Sequence, residues 1–544
     1  MPNKIASYLQ EHILGEVSTN GALLKAMSHD ASVFEVMPEM VVYPRVTNDI
    51  RKIARFTWQL AEKGHVLPLT ARGAGTDETG GAIGKGVIIN TTAHMNQLLE
   101  LDVKQKLVRV QPGANAQNLH DALMIHGISV PALPASAVYS TIGGAVANNA
   151  GGPLSGKYGS TGDWVQQLEI VLANGDLLQT ERLSKRELGK KKGLQTFEGE
   201  IYRTLDNLIE DNKQLIDEKI AVDIRDNAGY MSIAKVKQKD GSFDLTPLFV
   251  GAQGTLGIIS EMIMKSDFMS LHTGVALLAF TTSEAARDAL DQLRTLEPAF
   301  LDYYDGDYFT LASEQGKVYD FYKNLTSTLQ AVVIVGFDDF NERARHKKLK
   351  KIVKTFAKTE TYVEVADGNE AVDLLAIRQV TSYALMPAST EASAPSLFDG
   401  AYVPKSRFEE FSAAIATLAT KHHVLLPIHN RALESIMYVR PTLHMHKVSD
   451  KQKVFKLLDE YGTIVAQFGG HLVADSGEGR LKVRDAYAQL DDEMKQLFID
   501  IKTIFDPYGT MNPGVKQITE LRQLTSHLRA TYDSSALANY IPYH

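Results

Sequence analysis

Two stretches of this chain set glycines among small residues: Arg72-Gly73-Ala74-Gly75-Thr76-Asp77-Glu78-Thr79-Gly80-Gly81 and Ser140-Thr141-Ile142-Gly143-Gly144-Ala145-Val146-Ala147-Asn148-Asn149-Ala150-Gly151-Gly152. Glycine permits positive φ and lets another molecule come close to the backbone. Successive N–H groups in such loops form concave anion sites. Two of them in one chain predict a ligand with a diphosphate and a long flat body, which a dinucleotide cofactor satisfies. Neither run reads G-x-G-x-x-G after a strand, so the Rossmann fingerprint is not matched. Thiol chemistry, disulfides and iron–sulfur ligation are excluded, because the 544 residues include no cysteine. His444-Met445-His446 would place two imidazoles on one face of a strand and so form a metal pair, although surface or internally satisfied histidines are the more ordinary reading.

The elements that must position these loops follow from apolar spacing. Residues 1–36 read as helical and polar, and Glu39–Pro44 as a short strand ended by proline. Asn48–Lys63 has helical spacing, with Ile50, Ile53, Ala54 and Thr57 on one face and Thr47 or Asn48 as its cap. His65–Leu69 is the strand that delivers the chain into the first glycine loop, followed by strands at Val87–Asn90 and Leu107–Val110 and a helix at Asn118–His126. The charged helical stretch Leu183–Asp217, with Lys190-Lys191-Lys192, reads as a solvated insertion. Leu248–Val250 reads as a strand before a third glycine stretch, Gly251–Glu261. Beyond Asp267, Val275–Phe280, Glu284–Leu296, Gln330–Phe337 and Arg343–Phe356 alternate strand and helix without glycine loops, which predicts a second α+β domain.

Composition is that of a globular protein, 44% hydrophobic and 22% charged, with a net charge of −8 that speaks against a nucleic-acid partner. Met1–Ser7 lacks the apolar core of a signal peptide, and no apolar run reaches the roughly eighteen residues of a membrane span. The expected location is cytoplasmic, with peripheral attachment at the inner face of a membrane left open.

Further motifs add to the glycine loops. Ser28-His29-Asp30-Ala31-Ser32 precedes Val41-Val42-Tyr43-Pro44; Pro134–Gly152 is followed by Tyr158-Gly159; Gly251–Glu261 reads G-A-Q-G-T-L-G-I-I-S-E; Ala401–Arg407 contains V-P-K-S-R; and Phe505–Gly514 reads F-D-P-Y-G-T-M-N-P-G. Together and in this order they resemble, nearly end to end, the FAD-dependent oxidoreductases of the vanillyl-alcohol-oxidase type, in the branch of D-lactate dehydrogenase and the glycolate-oxidase flavoprotein subunit. The resemblance implies an α+β, two-lobed architecture: an N-terminal helical segment (1–36), a PCMH-type FAD-binding domain (37–267), an α+β cap domain with an antiparallel sheet (268–504), and a C-terminal segment (505–544) returning to the FAD domain. It implies FAD held by Arg72, Gly73, Ala74, Gly75, Thr76, Asp77, Gly80 and Gly81, by Pro134, Ser136, Thr141, Gly143, Gly144, Asn148, Ala150, Gly151, Gly152, Tyr158 and Gly159, and by Gly254, Gly257, Ile258, Ile259 and Asn512. Some family members attach FAD through a histidine of the first loop. Ala74-Gly75-Thr76-Asp77 has none, so non-covalent FAD is expected.

For chemistry, the resemblance implies hydride transfer from a hydroxyl-bearing carbon to flavin N5, with a base taking the hydroxyl proton. Arg378 matches the family arginine that binds a substrate carboxylate, with Ser382 near by in sequence. The family's metal and base site is built from G-H-x-x-x-G-N-x-H and a later E-H-G. Here Arg431 and Tyr438 replace the two histidines, and Asp475 and Ser476 replace Glu and His, so no family-type metal is expected. Arg431 could then bind a second carboxylate or a phosphate, or hold Tyr438 as phenolate. Tyr438, His429 and Glu478 are the candidate bases. The leading expectation is a dehydrogenase of a small 2-hydroxy acid such as D-lactate or glycolate, passing electrons to a quinone, a partner subunit or oxygen. The alternatives are a flavoenzyme acting on an alcohol, polyol or phosphorylated substrate without a metal, and a degenerate FAD-binding protein without turnover.

Overall fold

A computed structural model describes residues 2–221, 223–314, 316–323, 325, 328–357, 359, 361–381 and 395–529. The first sheet is ordered Glu16–Ser18, Met40–Tyr43, Val87–Asn90, Leu69–Arg72, and its last two pairings are parallel. Parallel neighbours need a crossover, and the helix Thr47–Glu62 supplies it, burying Ile50, Ile53, Ala54 and Thr57. Neither Thr47 nor Asn48 caps this helix. Asp49 instead accepts the amides of Leu14, Gly15 and Arg45, so the side chain at the helix start serves incoming segments rather than its own turn. The strand before the first glycine loop is Leu69–Arg72, later than His65–Leu69, because Pro68 and exposed Val66 leave the preceding stretch outside the sheet.

A second, antiparallel sheet runs Leu98–Asp102, Leu107–Val110, Ile258–Lys265, Val165–Val171, Leu177–Gln179. The third glycine stretch is thus followed, not preceded, by its strand; Thr246–Phe249 is a helical turn with proline near its start. The charged stretch holds the helices Lys185–Lys192 and Phe197–Asp211 and runs into a third, Lys213–Lys219. It is no solvated insertion: Leu188, Ile201, Tyr202, Leu205 and Ile209 are buried, while Lys191 and Lys192 pair with Glu198 and Asp206 at 2.6 and 2.5 Å.

The cap is a seven-stranded sheet ordered Tyr362–Asp367, Gly274–Phe280, Ala331–Phe337, Phe300–Asp305, Ile428–Arg431, Ile436–Val439, Ala401–Tyr402, with helices Ser283–Arg294 and Glu342–Phe356 packed on it. Its central strands read as continuous apolar runs because both faces are covered. The strand Ala401–Tyr402 forms an edge of this sheet. Near the C-terminus, Thr510 O accepts the Leu69 amide and the Asn512 amide reaches Leu69 O, each at 2.8 Å, which lays Thr510–Asn512 beside the first sheet. Among the described residues no helix is long and apolar enough to cross a membrane.

Candidate active site

A cavity of about 680 Å³ lies between the lobes, lined by the glycine loops on one side and by cap residues including Asp302, Tyr304, Arg378, His429, Arg431, Tyr438 and Arg440 on the other. The first loop leaves the sheet at Arg72. From Gly73 to Glu78 the backbone N–H groups donate to no acceptor among the described residues, and all six residues line the cavity. A row of backbone donors that face a cavity without protein acceptors marks a place for an anion. A Cβ on Gly73 would lie 2.1 Å from Thr141 Oγ1, which shows the two loops in a contact that only glycine admits. Gly75 sits at φ +77°, and a Cβ there would meet the Arg72 guanidinium at 2.2 Å.

Side chains lock the loops to each other. The Asp77 carboxylate accepts the amides of Thr79 and Gly81 at 3.0 and 2.6 Å and the Asn148 side-chain amide at 2.9 Å. Gln253 donates to Asn148 at 2.8 Å, and Asn512 donates to Gly81 O and Gln253 O, each at 2.8 Å. The amide row, the small-residue walls and a cap rich in rings and charges fit FAD: the amide row suits an anionic diphosphate and the ring-lined cap end a flat ring system.

Not every expected cofactor contact lines this cavity. Arg72 does, but its guanidinium donates to Ala82 O and His29 O and so braces the loop. Gly80 packs under Phe34, Ile258 is a buried strand residue, Gly159 abuts Asp163, and Asn512 is the inter-loop clamp. The Tyr158 hydroxyl donates to Asp338 of the cap at 2.5 Å and ties the lobes together. These five residues lie outside the cavity lining. Asn148, Gly151, Gly152, Gly254, Gly257, Ile259, Pro134 and Ser136 lie within it.

At the cap end, Arg378 donates from Nε to Asp302 Oδ2 at 2.7 Å and from Nη2 to Pro153 O at 2.9 Å, with its guanidinium 3.8 Å from the centre of the Phe300 ring. His429 is sandwiched: Tyr304 stacks at 4.3 Å and 7°, Tyr438 at 5.0 Å and 21°. Its Nε2 is buried without a hydrogen-bond partner, 4.0 Å from Asp302 Oδ1. Burial drives the imidazole pKa below its ordinary value despite Asp302, which keeps the ring neutral near pH 7. Burial alone would raise the Asp302 carboxyl, but Arg378 and His429 outweigh it and hold it below the usual range.

The Arg431 charge is paired, although its Nε is buried without a hydrogen-bond partner. Its Nη1 donates to Gly152 O and to Ser155 Oγ, its Nη2 to Asp475, and Glu434 lies 3.3 Å away. Burial would lower its pKa, but Asp475 and Glu434 more than offset this and raise it. None of its hydrogen bonds goes to Tyr438; its guanidinium lies over that ring's face at 4.8 Å. Arg431 is thus neither a spare cation for a second anionic group nor a partner of the Tyr438 hydroxyl. Glu478 is overturned as a base: it is fully buried, accepts from the Gly229 amide at 2.7 Å and pairs with Lys516 at 2.6 Å, away from the cavity.

A family-type metal does not fit, because a guanidinium already holds Asp475 and the neighbouring positions are Tyr438 and Ser476. His444 and His446 do not share a strand face. They lie on a turn with rings 6.0 Å apart and edge-on, and His444 faces Asp450. Among the described residues the grouping compatible with a cation is Glu342, His346 and Asp367 on the cap, where Arg345 already holds Asp367 at 2.7 Å. Ser382 lies outside the described residues. Asp302 and Tyr304 were missed; the signal was an acidic and an aromatic residue two apart, hence on one face, inside a largely buried strand.

The comparisons agree with this architecture. Residues 38–181 match the FAD binding domain model and 270–515 the C-terminal domain model of FAD linked oxidases. The chain is 25% identical over 516 residues to the D-2-hydroxyglutarate dehydrogenase of Pantoea ananatis (strain AJ13355), covering 92% of this chain but 50% of that protein, so it spans about half the length of such relatives. It is 26% identical over 491 residues to glycolate oxidase subunit GlcD of Bacillus subtilis (strain 168), covering 90% of this chain and 91% of that one. Among solved structures, a 4-ethylphenol oxidase from Gulosibacter chungangensis in complex with isoeugenol shares the fold with a TM-score of 0.68 at 15% identity, over 96% of this chain and 98% of that chain. With both domains matched in order around a cavity that suits the cofactor, the chain belongs to the FAD-linked oxidoreductases that join an FAD binding domain to an FAD-linked oxidase C-terminal domain.

Proposed function

We propose that this chain oxidises a small 2-hydroxy acid to the 2-oxo acid with non-covalent FAD and without a metal. The observation that carries the proposal is the meeting, at one end of the cavity, of an arginine with donors to spare and a neutral histidine backed by a buried carboxylate. Among the described residues, Arg378 donates from Nε to Asp302 and from one Nη2 hydrogen to Pro153 O, with the Tyr304 hydroxyl beside it, and we assign its remaining edge to a substrate carboxylate. His429 turns Nε2 towards Asp302, so its Nδ1 accepts the proton of the substrate hydroxyl. The Tyr304 and Tyr438 rings fix the imidazole plane and keep water from its faces. FAD, when bound, supplies the hydride acceptor at N5. The names of the dehydrogenases and the glycolate oxidase subunit above support an acid substrate.

The test is anaerobic mixing of the purified yellow protein with D-lactate, glycolate or D-2-hydroxyglutarate, before and after chelator treatment. Bleaching of the flavin band by one of these acids, unchanged by chelator, is expected. Bleaching by alcohols or sugars only, no bleaching at all, or a chelator loss restored by zinc or manganese would each overturn the proposal. Acid denaturation is expected to leave the flavin in the supernatant; flavin retained on the precipitate would overturn non-covalent attachment.

A further inference from the structure

We infer that Asp302 is a positioning residue that serves the carboxylate anchor and the base at once: its two oxygens are divided between Arg378 and His429. The inference rests on the reading of the site just proposed. Asp302 lies in the cap strand Phe300–Asp305, opposite Arg431 in the neighbouring strand, while Tyr304 lies opposite His429. The register therefore puts Asp302 beneath the imidazole and Tyr304 against its face. Oδ2 takes the Arg378 Nε–H at 2.7 Å, and Oδ1 faces His429 Nε2 at 4.0 Å. The side chain is 2% exposed, so its charge is neutralised by these partners rather than by water.

Two consequences follow from a single carboxylate. Held at Nε by Asp302 and at Nη2 by Pro153 O, the Arg378 fork has its plane and its outward edge fixed, so the anion it receives is placed relative to His429. A carboxylate facing Nε2 favours the tautomer with the proton on that nitrogen, which leaves the Nδ1 lone pair for the hydroxyl proton. The other groups around the imidazole are Arg378, Arg431, Tyr304 and Tyr438; Asp302 is the anion that acts on the imidazole against the two guanidiniums, of which Arg431 is itself paired with Asp475 and Glu434. A substrate carboxylate that docks on Arg378 thus meets a base whose orientation depends on the same buried anion.

The experiment compares Asp302→Asn and Asp302→Glu with the wild-type holoenzyme. One readout is oxalate binding, followed as a perturbation of the flavin spectrum without turnover. The other is the pH profile of flavin bleaching by the hydroxy acid that the wild type accepts. For Asp302→Asn, oxalate binding is expected to weaken by about tenfold or more, the bleaching rate to fall by ~10²-fold or more, and the limb reporting the base to move to lower pH, since a neutral amide no longer favours the imidazolium. Asp302→Glu keeps the charge but displaces the contact with Arg378, so it should hold the wild-type limb while weakening oxalate. Asp302 is only a packing residue if the Asn variant melts earlier yet keeps wild-type oxalate affinity and pH limb, or if both variants behave alike in the pH profile. Where the Asn variant does not accumulate, wild-type oxalate affinity in the Glu variant overturns the inference. Failure of every hydroxy acid to bleach the wild type is a failure of the proposed function instead, and the oxalate measurement still reads the contact between Asp302 and Arg378.

Discussion

At His429, burial, a nearby carboxylate and two stacked rings act on one imidazole, and burial decides its charge. A neutral ring held in a fixed plane is what a base needs, whereas Tyr438 contributes its face. The two candidates are therefore separable. His429→Gln is expected to slow anaerobic flavin bleaching by ~10²–10⁴-fold, and Tyr438→Phe to keep the rate within about threefold, since the ring that stacks is retained. Equal losses in the two variants, measured by stopped flow, would return Tyr438 to the chemistry. Arg431 illustrates why residue type alone misleads. A positive charge at that position invites an anionic ligand on paper, but Asp475 and Glu434 neutralise it, and Gly152 and Ser155, far away in sequence, occupy its Nη1. Glu478 fails as a base for the same reason, since Lys516 and the Gly229 amide reach it from elsewhere in the chain.

At the scale of elements, the candidate cofactor site is a strand end followed by a loop whose amides find no acceptor among the described residues. The strand Leu69–Arg72 fixes where the loop starts, and Asp77 fixes its curvature by gathering the Thr79 and Gly81 amides. Gly75 carries the sharpest demand, with φ +77° and the Arg72 guanidinium where a side chain would stand. Gly75→Ala is expected to cost about 1–3 kcal/mol and to give protein with a lower flavin-to-protein absorbance ratio and a lower melting temperature. Full flavin content with an unchanged melting temperature would show that the loop tolerates a Cβ. The loop was legible from its glycines. Its strand was misplaced because the preceding apolar run, interrupted by Pro68, has the composition of a strand without a neighbour to pair with, and sheet pairing is a tertiary matter.

Over the whole molecule, the two lobes are joined around the cavity by polar contacts concentrated on residues 152–158: Arg378 on Pro153 O, Glu434 and Arg431 on Ser155, and Asp338 on Lys157 and Tyr158. The buried carboxylates give the stability of this assembly a two-sided pH dependence. Burial raises Asp305 to about 6, so the folded chain takes up this proton before the unfolded chain does, and its contribution to stability is lost as pH rises through about 6. Asp302 and Asp475 are held low by their arginines, so their contribution is present above the ordinary carboxylate range and is lost as pH falls through their folded values. Melting curves should show the stability gained between about pH 7 and 5 shrink in Asp305→Asn, where Ile428 and Tyr303 keep a partner, while the fall below about pH 4 persists. An Asp305→Asn variant with the wild-type slope would show that this carboxyl titrates normally.

The glycine loops by themselves pointed to a dinucleotide-type ligand and the apolar periodicity to alternating strands and helices, because these are local properties that survive without a structure; FAD and the two-lobed α+β architecture came from the resemblance that the ordered motifs carry. It also brought Arg378, His429, Arg431 and Tyr438 to notice through their motifs. Only the tertiary structure decided which of these charges is free. Asp302 meets His429 and Arg378 across 127 and 76 residues of chain, and Arg431 meets Asp475 across 44. Whether a buried charge does chemistry or is neutralised by a neighbour depends on distances of a few ångströms between such remote segments, which spacing along the chain does not encode.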